Sequence, residues 1–570
     1  MSNQINDINA LRHSAAHLLA HAVSELYPST LLTIGPATPE GFFYDMLPEK
    51  NFKEEDLPII SARMQEIVAK NYPLEHTQIP KAQARELFAN NRFKLELIDM
   101  IPGDTVGLAT QGNFYDLCKG GHIAATGLLK HFKLQSISGS YWRADRDSQP
   151  LQRISGVVFF TQEELDAYEK HQLELHMYDH RRLGKQLDLF SFHDEGVGFP
   201  FFHPKGKRVI NALTAYMRKL QQENDYQEVS TPTMLSDELW RKSGHYEFYH
   251  DKMYFSVIDE KSYAIKPMNC PGSILIYKTR PRSYRELPLK LAEYGHCHRH
   301  ELSGVLHGLM RVRAFTQDDA HIYCAPEQLE HEILTIIKMV FKMLSKFDLH
   351  DISFAISTRP EKYMGSDELW QAATKALTDA LVTSNAQFTI KEGEGAFYGP
   401  KIEVVIQDSM GRKWQCGTIQ VDFFQPENFD LWYVTAQGTK QRPVIIHQAI
   451  FGSLERFFAI ILEHYKGNLP FWLSPVQIKI LTVTDAQKTY ATELYHDLKK
   501  HGVRVELDTT SDPLSGQIKT AQQDRVPWML IIGKKEAEAQ TVTIRYHDGK
   551  QEPAVSLELL HKKIRNYQAS

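Results

Sequence analysis

The chain has 570 residues, 42% hydrophobic and 24% charged, proportions that exclude a disordered, collagen-like or disulfide-scaffold protein. At about 150 residues per domain, that length suggests roughly three to four domains. With 65 Lys and Arg against 70 Asp and Glu, the net charge of -5 argues against a DNA-coating protein but leaves RNA binding through local basic patches open. Five scattered cysteines (Cys118, Cys270, Cys297, Cys324, Cys416) fit a reducing compartment. No apolar run approaches the roughly 20 residues of a membrane span. The opening MSNQINDINALRHSAAH lacks a signal peptide's basic flank and apolar core. The expected class is a cytoplasmic multidomain enzyme or RNA-binding protein.

In chain order, residues 7–27 read as a helix. Asp7 caps it, Ile8, Leu11, Ala15, Leu18, Ala22 and Leu26 form its apolar face, and Pro28 stops it. Residues 30–160 mix short apolar runs with Gly and Pro turns, an α+β pattern. A polar helix over 162–183, opened by a capping box at Thr161–Glu164, reads as a connector. From 185 to 470 the chain is aromatic-rich and full of alternating strands. From 475 on, strands such as VQIKILTV and VPWMLIIG alternate with helices, the first of which ends at Gly502. That predicts a parallel or mixed α/β sheet domain of about 95 residues.

The first helix carries His13, His17 and His21, one stripe at four-residue spacing. At about 100° per residue, the stripe lies about 160° from the apolar face, so these are not expected to be core histidines. They are either a solvated face or the wall of a site. The segment DLCKGGH repeats the spacing with Asp116, Cys118 and His122. Together H-x-x-x-H and C-x-x-x-H supply four zinc-type ligands. The same groups can instead position a water without metal, and spacing leaves both readings open.

The central region carries MNCPGS (Met268–Ser273), CHRHELSG (Cys297–Gly304), HGLMRVRAFTQDDAHIYC (His307–Cys324) and HQAIFGSLERF (His447–Phe457). Arg299, Arg311 and Arg456 offer planar, permanently charged forks that suit a triphosphate. Glu301, two residues after Arg299, falls on the same strand face and can accept from an exocyclic amine. Phe315 offers a stacking face for a base. The competing reading is a salt-bridge network on an antiparallel sheet.

Taken together these strings resemble the class II aminoacyl-tRNA synthetases. YQEVSTPTML with Pro232 is similar to motif 1, Arg299-His300-Glu301 to motif 2, and GSLERF with Arg456 to motif 3. MNCPG, SGxLHGLMRVRxFTQDDAHIxC and GEGAFYGPKIE, in that order, resemble the threonyl-tRNA synthetase family. HSAAHLLAHAV, CKGGH, FKLQSISGSYWRAD and VPWMLIIGKKE extend the likeness along the whole chain. The resemblance implies an α+β multidomain protein: a class II catalytic core on an antiparallel sheet, an α+β editing domain and an α/β anticodon-binding domain. The implied divisions are 1–160 editing, 161–184 linker helix, 185–473 catalysis and 474–570 anticodon binding.

It also implies roles. Arg299, Arg311 and Arg456 hold ATP phosphates, Glu301 and Phe315 the adenine, Gln415 and Thr418 the ribose. Cys270, His321 and His447 bind one zinc per subunit, and an open fourth position is the mark of a zinc that binds substrate. Threonine fills it through its amine and hydroxyl, with Gln317, Asp319, Met268, Tyr398 and Gln420 around it. Lys401 faces the reacting carboxylate and phosphate, and His245 lies near the tRNA terminal ribose. Magnesium accompanies ATP. The partners are tRNA(Thr), ATP and L-threonine, and motif 1 implies a symmetric homodimer. A binding site built for a hydroxyl rejects valine strongly, whereas serine lacks only a methyl, worth about 1–3 kcal/mol. His13, His17, Lys94, Asp116, Cys118 and His122 are therefore the expected site that hydrolyses seryl-tRNA(Thr), with a positioned water and no required metal.

Several positions depart from the family pattern. Ser273 stands where MNCPGH is common, His300 where HRNE is common, and CKGGH where CRGPH is common. The chain starts at the histidine helix, so the form expected is one without the family's small ubiquitin-like domain. Residues 475–570 hold 14 Lys and Arg against 12 Asp and Glu, only slightly basic. Glu536 and Arg545 match anticodon-reading positions, and Lys519 sits where arginine is usual, without the bidentate fork. A non-catalytic RNA-binding regulator is the rival reading, and the three arginines and the Cys/His trio argue against it. A synthetase for proline or serine is a second rival, and the Cys270, His321, His447 trio argues against both, since a zinc that expects a hydroxyl has no use for proline.

Overall fold

The computed structural model describes residues 7–145 and 147–569. The chain forms two compact units that divide between residues 174 and 175.

In the first unit, Asp7 caps the helix Ile8–Leu26 by accepting from the N–H groups of Asn9 (2.9 Å) and Ala10 (3.3 Å). Its apolar face packs with the helix Asp56–Lys70 and an antiparallel sheet ordered Leu31–Leu32, Phe42–Leu47, Pro150–Phe159, His131–Tyr141. A second antiparallel sheet, Leu74–Pro80, Thr105–Gln111, Phe114–Leu117, supplies residues that meet the opposite face. The histidine stripe is therefore not excluded from the interior. His17 is 4% exposed and His21 1% exposed, with His21 stacked on Phe114 at 5.1 Å. The helix is covered on two sides, and helical period reports only the more apolar one. The polar helix Gln162–Met177 opens as expected, with Glu164 N–H donating to Thr161 Oγ1 and Thr161 N–H to Glu164 Oε2, both at 3.2 Å. It ends at Met177 rather than 183, because Asp179 caps a separate helix, His180–Gln186.

The second unit is built on an eight-stranded sheet. Its order is Gln227–Glu228, Leu289–His298, Ala314–Cys324, Val444–Ser453, Lys413–Asp422, Lys401–Gln407, Ile352–Ser357, Phe388–Lys391. All its pairs are antiparallel except the two edge pairs. One face is packed by the helices Leu329–Ser345, Leu454–His464 and Pro204–Gln222, whose Ile, Leu and Phe side chains join Ala320, Ile322 and Cys324 in one core. Because side chains alternate along a strand, Gln317, Asp319 and His321 point to the other face. The register then lines up a row across four strands: His321 opposite His447, His447 opposite Gln420, Gln420 opposite Lys401.

Residues 475–569 form a five-stranded sheet ordered Val505–Leu507, Ile478–Thr482, Trp528–Ile532, Thr541–Tyr546, Gln551–Ser556. The first three strands are parallel and the last two antiparallel, the mixed α/β arrangement expected.

Candidate functional site

The open face of the large sheet is where the central motifs meet. Cys270 begins the helix Cys270–Tyr277 and lies over the row containing His321 and His447. The ligand atoms of these three buried residues lie within 4.8 Å of one another. His447 Nε2 and Asp422 Oδ2 are 2.9 Å apart, so a buried carboxylate orients that ring. Burial pushes the Cys270 thiol well up and the His321 imidazole well down. A soft thiol and two imidazoles held this close and this dry fit a zinc-type cation, which would draw the proton off the thiol. Ser273 leaves the trio intact, since its hydroxyl is 2.9 Å from the Tyr323 hydroxyl.

Around the trio stand the expected amino-acid residues. Tyr398 O–H donates to Gln420 Oε1 at 2.9 Å, and its ring lies 5.2 Å from that of His447. Asn269 Nδ2 donates to Asp319 Oδ2 at 3.0 Å, and burial raises Asp319 to about 6. His245 is fully buried rather than open to the surface. Its Nε2 sits 3.2 Å from Met268 Sδ and 3.7 Å from Cys270 Sγ, and burial lowers its pKa to about 3. Lys401 Nζ pairs with Glu403 at 2.7 Å, and Glu403 also holds Lys391 at 2.7 Å.

The three arginines sit on three different elements. Arg299 lies just past the strand Leu289–His298, with its guanidinium 4.9 Å from the centre of the Phe315 ring. Phe315 is thus covered by Arg299 and by its neighbours Cys297 and Val312. The expectation that Arg299 and Glu301 share a strand face does not hold, because the strand ends at His298 and the backbone turns. Glu301 instead pairs with exposed Arg311 at 3.0 Å. Arg456 lies in the first turn of the helix Leu454–His464, and its Nε is buried without a hydrogen-bond partner among the described residues. Gln415 and Thr418 are three apart, a spacing that normally puts side chains on opposite faces. A register shift sets Thr418 against Glu403 and Gln415 against Val405, and so restores a common face.

Some participants escaped sequence reading. Asp318 points away from Asp319 and accepts from the N–H groups of Ile450, Phe451 and Gly452 at 3.0, 2.8 and 2.9 Å. This fixes the bend before Arg456, and the Asp-Asp pair in TQDDAH was a usable signal. Lys266 and Glu293, buried and 2.9 Å apart, brace the Thr231–Pro232 segment through Thr231. Only their burial marks them.

In the first unit, His13, His17, Cys118 and His122 also place ligand atoms within 4.8 Å of one another. Cys118 Sγ lies 3.0 Å from His122 Nε2 and 3.6 Å from His13 Nε2. Asp116 forms a buried ion pair with Lys94, also touches the Tyr44 hydroxyl, and stands 3.6 Å from His17 Nδ1. Burial lowers His13 and His17 and takes His122 to about 3, so all three imidazoles are neutral at pH 7. A 370 Å³ cavity opens beside Lys94 and Asp116. His21 is separate from the cluster, held by Asn113 Oδ1 at 2.9 Å and Gln111 Nε2 at 3.2 Å.

The three anticodon candidates differ in freedom. Lys519 is exposed on the helix Leu514–Gln523. Arg545 is half-buried, donating through Nη1 to Gly549 C=O at 3.4 Å, and its Nε has no hydrogen-bond partner among the described residues. Glu536 is engaged at both oxygens, by Gly533 N–H at 3.0 Å and the Thr543 hydroxyl at 2.9 Å.

Comparison with known families matches three segments. Residues 254–465 match the tRNA synthetase class II core domain (G, H, P, S and T), and residues 475–567 match an anticodon binding domain. Residues 106–155 match the threonyl and alanyl tRNA synthetase second additional domain. The fold and its arginine-lined sheet are those of a class II aminoacyl-tRNA synthetase. The threonine–tRNA ligase of Clostridium botulinum (strain Loch Maree / Type A3) is 48% identical over 560 residues, 98% of this chain and 88% of that protein. That of Acetivibrio thermocellus is 50% identical over 542 residues, 94% and 85% of the two chains. The chain belongs to the threonine–tRNA ligase family. Among solved structures, the RNA binding domain of threonyl-tRNA synthetase from Cryptosporidium parvum Iowa II superposes with TM-score 0.67 at 40% identity, covering 68% of this chain and 98% of that one. A prolyl-tRNA synthetase from Cryptosporidium parvum shares the fold at 16% identity and TM-score 0.54.

Proposed function

We propose that the row His321–His447–Gln420–Lys401, with Cys270 over it, is the threonine-activating centre, and that the buried Cys/His trio carries the assignment. Cys270, His321 and His447 would hold one zinc. When bound, it supplies a Lewis-acidic anchor for the amine and hydroxyl of threonine. Asp319, Gln317, Tyr398, Gln420 and Met268 orient the amino acid. Arg299, Arg311 and Arg456 grip the ATP phosphates, with magnesium as the counter-ion. Glu301 and Phe315 receive the adenine, and Gln415 and Thr418 the ribose. Lys401 lies at the far end of the row, where charge develops between carboxylate and α-phosphate as threonyl-adenylate forms and pyrophosphate leaves. The tRNA terminal ribose then attacks the carbonyl, with His245 beside the amino-acid pocket.

The N-terminal cluster hydrolyses seryl-tRNA(Thr). Cys118 Sγ already engages His122 and His13, while His17 Nδ1 is buried without a hydrogen-bond partner among the described residues, which supports a positioned water without required metal. Lys519 and Arg545 contact the anticodon, with Glu536 shaping that surface. The functional divisions are 1–160, 161–184, 185–473 and 474–570. The five free cysteines support a cytoplasmic setting, and among the described residues no helix is long and apolar enough to cross a membrane. A symmetric homodimer through the Pro232 region completes the assembly.

The test combines metal analysis with pyrophosphate exchange on one purified sample. Threonine should drive exchange, serine weakly, and valine and proline not at all, with about one zinc per catalytic centre. Exchange with valine equal to that with serine would remove the hydroxyl-reading site.

A further inference from the structure

Arg311 is delivered by a tight turn. His307 N–H donates to Arg311 C=O at 3.2 Å, and Arg311 N–H returns to His307 C=O at 3.3 Å. Inside this turn Gly308 adopts φ +48°, and a Cβ on it would lie 2.1 Å from His180 Nε2. The turn is therefore seated directly on the His180 imidazole. The next residue, Leu309, is fully buried and donates its N–H to His180 Nε2 at 3.0 Å. An Nε2 that accepts carries no proton, so the ring proton sits on Nδ1. Nδ1 lies 2.6 Å from Glu463 Oε1, and the His180 backbone N–H donates to the same oxygen at 2.8 Å.

Glu463 connects this contact to the other phosphate arginine. It lies on the helix Leu454–His464, seven residues and about two turns after Arg456. Its second oxygen pairs with Arg412, which also pairs with Asp408. Asp408 accepts from Trp414 Nε1 at 2.8 Å, and the Trp414 ring is 6.0 Å from the Arg456 guanidinium. His180 is 0% exposed, and its two ring nitrogens are committed to the turn that carries Arg311 and to the last turn of the helix that carries Arg456 in its first.

We infer that His180 is a positioning residue for ATP: it locks the turn that presents Arg311 to the helix that presents Arg456. This rests on reading those two arginines as phosphate ligands. The alternative, a staple that only stabilises the fold, does not require the contact to fall on the turn immediately before Arg311.

The experiment is pyrophosphate exchange by the full-length enzyme with ATP and threonine varied separately, for wild type, His180→Ala, His180→Gln, Gly308→Ala and Arg311→Ala. His180→Ala should raise KM for ATP about tenfold, the equivalent of one lost hydrogen bond, and leave KM for threonine within about twofold. His180→Gln should recover most of it, because its amide oxygen can accept the Leu309 N–H. Gly308→Ala pushes on the same contact from the other side, so it should reproduce the ATP defect with His180 intact, which keeps the inference testable if His180→Ala fails to fold. A staple would lower the active fraction and thermal stability while both KM values stay put, and that result overturns the inference. If Arg311→Ala also leaves KM for ATP unchanged, the phosphate assignment has failed and the inference falls with it. If only Arg311→Ala raises it, His180 alone has been misread.

Discussion

A thiol buried among two buried imidazoles and two carboxylates has no reason to ionise unless a cation is close, and Cys270 is in that position. Burial raises it first, and Asp319 and Asp422 add to the rise. Replacing sulfur by oxygen changes the donor's softness while keeping its volume nearly constant. Cys270→Ser should therefore lose the zinc and threonine-dependent pyrophosphate exchange without unfolding. ATP binding should persist, because Arg299, Arg311 and Arg456 ride on other elements. Zinc emission and ATP fluorescence titration on one sample read both outcomes. A wild-type protein that is fully active and free of zinc would end the metal assignment. The anticodon candidates also differ at this scale: Glu536 spends both oxygens on its own helix start and strand, so Glu536→Ala should cost stability before it costs recognition.

The helix that carries Arg456 is held at its first turn by Glu455, whose carboxylate accepts from Thr316 N–H at 2.9–3.0 Å and from the Ser453 hydroxyl at 3.0 Å. Burial outweighs those donors and raises Glu455 to about 7. The folded protein thus keeps this proton between about pH 4.5 and about 7, where the unfolded chain has released it. Stability from this group is fully present below about pH 4.5 and is lost as pH rises through about 7, an effect on the order of 3 kcal/mol at most. Glu455→Gln should remove that loss, so urea midpoints of wild type and variant should diverge between pH 5 and pH 8, with the variant favoured at pH 8. Parallel midpoints would show Glu455 ionised throughout. The C-terminal α/β pattern, the Asp7 cap and the Thr161–Glu164 box were readable in the sequence because each depends on neighbours within a few residues. The burial of the histidine face is not legible in helical period, because a second sheet, from residues 74–117, covers it; of the two readings open, the solvated face does not hold for His17 and His21. Glu301 was misjudged because nothing local announces that the strand stops at His298. The Gln415–Thr418 pairing depends on a bulge, and the His180–Glu463 contact joins residues 283 apart.

At the scale of the molecule, activation, anticodon reading and editing are chemically separable. The anticodon-type sheet is packed into its junction: Arg504 donates to Ser474 C=O at 2.8 Å and Trp472 C=O at 2.6 Å, and Phe471 lies on Trp528 at 4.4 Å. Cutting the chain there would expose Phe471, so a side-chain change is the cleaner probe. Arg545→Ala should weaken tRNA charging by about 1–3 kcal/mol and leave pyrophosphate exchange alone, and equal charging would remove Arg545 from the anticodon surface. The first unit offers the corresponding separation for fidelity. Its imidazoles are neutral at pH 7 because burial disfavours the charged form, so His13 and His17 can accept a proton from a water poised on a seryl ester. The buried Lys94–Asp116 pair, with Asp116 3.6 Å from His17 Nδ1, fixes the wall beside that water. None of these residues belongs to the eight-stranded sheet that carries the proposed activating centre. His13→Ala with His17→Ala should therefore charge threonine at the wild-type rate and slow seryl-tRNA hydrolysis by about 100-fold or more. Mischarged tRNA should then accumulate when serine is supplied. Because serine lacks only a methyl, the activating site cannot hide the defect. If the double variant clears seryl-tRNA as fast as wild type, the hydrolytic water is held elsewhere.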